Sequence, residues 1–187
     1  KAKEKVNYPF GFGLSYTNFK LSDIKAQDDG QNITVSLKVT NTGELSGKEV
    51  VQVYYSAPQG VLGKPQKVLA GFKKTKLLKS GESEDITITF AVNDMASYDD
   101  VGKLQKSAYL LERGEYKIYV GTSVRDVTET EYSYTVKEPF IVTEQLVSRC
   151  APKELSERMK SDGSYEALEC IPYECEITHQ PEITSAP

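Results

Sequence analysis

Across residues 19–136 apolar and polar side chains alternate with a period of two, and no other feature constrains the fold as strongly. Successive residues of a strand point to opposite faces, so each such run has one face to bury. Ile33, Val35, Leu37 and Val39 alternate with Asn32, Thr34, Ser36 and Lys38, and Ile86, Ile88 and Phe90 alternate with Asp85, Thr87 and Thr89. Tyr116, Ile118 and Val120 alternate with Glu115, Lys117 and Tyr119, and Tyr132, Tyr134 and Val136 close the series. Between the runs stand Asp28-Asp29-Gly30, Asn41-Thr42-Gly43, Lys79-Ser80-Gly81, Arg113-Gly114 and Gly121-Thr122-Ser123. These supply the positive-φ or side-chain-capped positions that chain reversals require. Short strands punctuated in this way, with no helix-length apolar stripe among them, predict an all-β antiparallel two-sheet sandwich.

About seven strands are expected, near 19–26, 31–40, 49–56, 66–77, 84–92, 116–121 and 132–137, the number of an immunoglobulin-like topology. The sandwich is assigned residues 18–138, behind an aromatic and glycine-interrupted linker over 1–17. Residues 139–187 change character: nine acidic side chains face four basic ones. Pro152 is expected to open one short helix through Met159, ended by Asp162-Gly163. Pro172, Pro181 and Pro187 then mark an irregular arm. This extension reads as a C-terminal appendage or an inter-domain connector.

A net charge of -4 offers no electrostatic footprint for a polyanion, so neither nucleic acid nor an anionic membrane is an expected partner. No apolar run approaches the length of a membrane span. The sequence starts at Lys1 without a charged-then-apolar leader, which leaves the compartment open between cytoplasm and exterior. Cys150, Cys170 and Cys175 all lie near the C-terminus, so no disulfide can staple the expected sandwich.

Several groupings resemble reactive sites and read better as structure. Asp28-Asp29 sits where a hairpin must turn, and Asp99-Asp100 are adjacent in sequence, whereas two-carboxylate chemistry needs its groups across a cleft. The sole histidine, His179, accompanies no nucleophile motif. With the three cysteines it forms a formal ligand set whose spacing does not match a zinc ribbon, so no metal is expected. Gly11-Phe12-Gly13 lacks the strand before it and the helix after it that a phosphate loop needs, so no cofactor is expected either. Asn32-Ile33-Thr34 is a glycosylation sequon, informative only in a eukaryotic secretory protein. The twelve tyrosines include rings such as Tyr54, Tyr55, Tyr98, Tyr109, Tyr119 and Tyr132 that suit strand packing as well as a sugar platform.

The stretch YPFGFGLSYTNF over 8–19 carries no strand or helix period. Rings of this size bury ~150–250 Å² each and cannot do so within so short a segment. Tyr8, Phe10, Phe12 and Tyr16 are therefore read as a domain-interface cluster. Long loops over 57–64 and 95–112 are the other candidates for contact, since function collects on loops above a rigid sheet. Within the second, Tyr98, Asp99 and Asp100 are expected to form a polar rim near a substrate entrance.

YPFGFGLSYTNF is similar to the segment joining the α/β sandwich to the fibronectin type III-like domain in glycoside hydrolase family 3 enzymes. VTNTGELSGKEVVQVYYSAP at 39–58, KPQKVLAGFKKTKLLKSGES at 64–83 and MASYDDVGKLQKSAYLLERGEYKIYVGTSVRDV at 95–127 resemble that domain in the same order. The resemblance spans residues 7–136 and implies an accessory domain of a β-glucosidase-like or β-xylosidase-like parent. In that family the nucleophile is an Asp on a (β/α)8 barrel, and the acid/base residue lies on or near the α/β sandwich. Neither motif occurs in this sequence, so no catalytic residue is assigned. The implied partners are those catalytic domains, with an oligosaccharide or a second copy as further expectations. Two competing readings are a stand-alone carbohydrate-binding module and an adhesion or protein-interaction sandwich, because a fold of this kind does not fix function.

Overall fold

The computed structural model describes residues 6–146, 157–160 and 162–167. Its strands are β1 (Phe19–Asp28), β2 (Asn32–Asn41), β3 (Val50–Ser56), β4 (Val68–Lys74), β5 (Ser83–Ala91), β6 (Ser97–Asp99), β7 (Ala108–Gly121) and β8 (Val127–Gln145). A 3₁₀ turn occupies Val92–Met95, and a separate hairpin is made by β9 (Glu157–Met159) and β10 (Tyr165–Ala167).

Two antiparallel sheets face each other. One has the order β1-β2-β5. In the other β7 is central: β8 pairs along one side of it, while on the other side β6 pairs with its first residues and β3 with its last, β4 lying beyond β3. The alternation seen in the sequence becomes the core. Ile33, Val35, Leu37 and Val39 of β2 and Ile86, Ile88 and Phe90 of β5 pack on Val51, Val53 and Tyr55 of β3 and on Tyr116, Ile118 and Val120 of β7. Burying a full aliphatic or aromatic side chain contributes ~1.5–3 kcal/mol, so this shared cluster outweighs any single surface contact.

The β1–β2 turn follows its chemistry. Asp28 accepts the Gly30 N–H and Asp29 accepts those of Gln31 and Asn32, while Gly30 takes φ +89. Three local expectations change. The segment 95–112 is not an open loop: it holds β6, a tight turn and the first residues of β7. Arg113-Gly114 does not reverse the chain either. The ladder between β7 and β8 shifts register there, a bulge in which Gly114 takes φ +137 against Pro58. The last strand continues to Gln145, past the expected 137.

Of the helix expected over 152–159, residues 152–156 lie outside the described residues. Glu157–Met159 are instead strand β9, and Asp162-Gly163 belong to the turn before β10. Cys150, Cys170, Cys175 and His179 also lie outside the described residues.

Candidate domain-contact surface

β3 is buried on both faces, from Val51 through Tyr55. Its inner face fills the core, and its outer face is roofed by the aromatic segment that precedes β1. The roof is fastened at named atoms. Gln52 donates from Nε2 to the Gly11 carbonyl (2.9 Å) and to the Thr122 carbonyl (2.6 Å), while the Tyr54 hydroxyl donates to Gln52 Oε1. Val124 N–H donates to the Phe10 carbonyl at 3.0 Å, and Phe12 N–H closes a turn onto the Pro9 carbonyl at 3.1 Å. Gly11 has φ +80, and a Cβ there would stand 2.0 Å from Gln52 Oε1. Only glycine meets both demands without strain.

The fastened backbone presents its side chains outward. Tyr8, Phe10, Phe12, Leu14 and Tyr16 are all exposed, Tyr16 to 96%. Tyr8 and Phe12 stack on each other, centroids 5.2 Å apart at 25°, which covers only part of each ring. Beneath the segment lies an open cleft of about 640 Å³, lined by Phe10, Phe12, Leu69, Phe72, Glu49 and Lys74 among others. Phe72, on the edge strand β4, is also exposed. Burial, reinforced by the nearby Asp126 carboxylate, holds Glu49 above the usual carboxylate range although the Val50 N–H opposes it. Burial likewise raises Tyr54.

The remaining candidates sit at the other end of the sandwich. β3 runs from the cleft to loop 57–64, and β7 runs from the 99–106 turn back to the cleft. The structure therefore separates Tyr98, Asp99 and Asp100 from the aromatic cluster by the length of the sheet. Asp99 is fully buried and is no part of a wet rim. Its carboxylate accepts the N–H groups of Gly102, Lys103, Leu104 and Gln105 at 2.7–3.0 Å, which folds the turn around it. Tyr98 packs on Tyr109 at 5.1 Å, and Asp100 is half-buried.

The two loops singled out in the sequence are bound to each other through Glu112. It accepts Val61 N–H at 2.6 Å and Leu62 N–H at 3.4 Å, and pairs with the Lys64 ammonium, both charged side chains being at most 5% exposed. Sequence reasoning missed this pair and missed Gln52. Gln52 had a signal, as the single polar residue within Val50–Tyr55; Lys64 and Glu112 had none, because nothing local shows that a charge on loop 57–64 and one on β7 will be enclosed together. Among the described residues no cluster of three or more His, Cys, Asp or Glu is placed to hold a metal ion.

Residues 49–124 match the fibronectin type III-like domain family. The chain is 52% identical over 182 residues to β-glucosidase A of Butyrivibrio fibrisolvens, a match covering 89% of this chain and 22% of that protein. The crystal structure of a β-glucosidase from Paenibacillus barengoltzii aligns with TM-score 0.76 at 44% identity, over 92% of this chain and 20% of that one. The glycoside hydrolase family 3 β-glucosidase of Bifidobacterium adolescentis aligns with TM-score 0.63 at 34% identity, over 71% and 19%. This chain thus spans about a fifth of the length of these relatives. Sandwich topology, sequence match and solved relatives agree that the chain belongs to the fibronectin type III-like domains of glycoside hydrolase family 3.

Proposed function

We propose that this chain is a non-catalytic accessory domain of a β-glucosidase-like parent, and that it braces the catalytic domains through the aromatic surface. The observation that carries this reading is the fastened segment with its outward side chains. A glycine clasp holds the backbone still while Tyr8, Phe10, Phe12, Leu14 and Tyr16 face solvent. Rigid presentation of exposed rings serves a partner surface, since a fixed ring loses little entropy on docking. Phe72 beside the cleft widens the same patch. The partner is the remaining part of a polypeptide of which relatives show about four fifths beyond this region.

The test uses the full parent. Hydrogen exchange of residues 7–16 and 69–74 should slow when this chain is joined to the parent's other domains, and unchanged exchange sinks the bracing role. Hydrolysis of a nitrophenyl glucoside by the purified chain alone would refute the non-catalytic assignment. Calorimetric titration with cellobiose or xylobiose addresses the carbohydrate-binding alternative, which saturable heat would favour.

For residues 139–187 the reading is a connector to a further domain. Residues 1–146 make up under four fifths of the chain, so matches covering 89% and 92% reach into the segment after β8, whereas the 71% match does not require it. A segment shared with particular relatives supports a connector over an incidental tail.

A further inference from the structure

At the end opposite the aromatic segment, three stretches meet around one ammonium. Lys103, on the turn that Asp99 shapes, places Nζ 2.8 Å from Glu166 Oε1 of β10. The same Nζ lies 3.2 Å from the Val61 carbonyl of loop 57–64. The Lys103 and Glu166 side chains are 24% and 26% exposed, so water competes less for this pair than for a free surface pair. Loop 57–64 is also held from its inner side by Glu112 and Lys64, and Lys103 ties it to the hairpin.

An ammonium has three donors, and here two are committed to groups on different elements. Pulling the carboxylate away would leave a partly buried cation that recovers its hydration only by moving outward. Outward movement breaks the bond to Val61. We infer that Lys103 couples the C-terminal hairpin to loop 57–64, so that displacing β9–β10 loosens the loop. The hairpin is then a strap whose position is felt at the far end of β3, and any structure attached beyond it gains a handle on that loop. This inference stands apart from the bracing role proposed above, since it concerns contacts within this chain only.

Amide hydrogen exchange on the complete chain tests it, with Glu166→Gln, Lys103→Met and the reversed pair Lys103→Glu/Glu166→Lys. Each single variant should raise exchange about three-fold or more in both 157–167 and 57–64, with the core strands unchanged. The reversed pair should restore protection of the hairpin but not of the loop, because a carboxylate at position 103 has no proton to donate to Val61. Loosening of the hairpin with loop exchange unchanged in both single variants would overturn the coupling. So would an unchanged hairpin.

Discussion

The side-chain amide of Gln52 and the backbone of Gly11 are bonded across 41 residues of sequence, and that bond fixes where the chain enters the sandwich. The strand residue lends Nε2 to two carbonyls while its oxygen accepts the Tyr54 hydroxyl, so both amide hydrogens and the amide oxygen are engaged. Gln52→Leu keeps the volume and orphans the Gly11 and Thr122 carbonyls and the Tyr54 hydroxyl. A loss of about 2–4 kcal/mol is expected in urea unfolding. Gly11→Ala should cost about 1–3 kcal/mol through strain at positive φ and the collision with Gln52, and should raise exchange across residues 7–16.

Lys64 and Glu112 form an enclosed ion pair, and removing either partner strands the other. Glu112→Leu or Lys64→Met should each destabilise by about 3–5 kcal/mol, whereas the two combined should cost less than the sum. Chemical denaturation of the four species of this double-mutant cycle gives the coupling directly. Additive losses would show that the pair contributes only through packing.

Asp99 organises the 99–106 turn with one carboxylate and four N–H donors. Asp99→Ala strips all four and should lower stability by about 3–5 kcal/mol, with exchange rising first in 100–106. Asp99→Asn keeps one acceptor oxygen and should fall between. If the residue instead served a solvent-facing rim, both changes would leave the melting temperature in place.

The pH response of the cleft follows from Glu49. Its folded-state value lies above its ordinary one of 4.5, so the folded state binds that proton more tightly than the unfolded chain. Stability from this group is present at low pH and is lost as pH rises from the ordinary value through the raised one. Asp126, which lines the same cleft, adds to the upward shift. Glu49→Gln should match the parent's melting temperature near about pH 4 and exceed it near about pH 7. A variant less stable at neutral pH would contradict this sign.

Much of the sandwich was legible because burial in β2 and β5 follows a period that sequence displays without context: Val35 and Ile88 are inward wherever their strands lie. β3 was harder, since both of its faces are covered and its apolar run shows no alternation. The first part of β7 was lost for a different reason. Ser107 at φ +59, Gly102 and the Arg113-Gly114 pair carry turn chemistry, yet they serve a tight turn and a bulge inside paired strands. The aromatic segment was visible as unpaired apolar surface, but its fastening was not, because Gln52 and Gly11 are related only through the completed sheet. Asp99 shows the limit most plainly: a carboxylate next to another carboxylate looks solvated until the backbone wraps around it.

The entry clasp at Gly11 and the strap at Lys103 lie at opposite ends of β7, which has fourteen residues. At ~3.4 Å per residue that strand reaches roughly 45 Å. Cutting the sandwich out of a longer polypeptide would therefore leave a gap that a flexible glycine-serine replacement, spanning ~5–6 Å × √n, matches only at roughly sixty to seventy residues. On the connector reading proposed above, the domain holds the segments before Gly11 and after β8 at that distance, and a shorter substitute would draw them together.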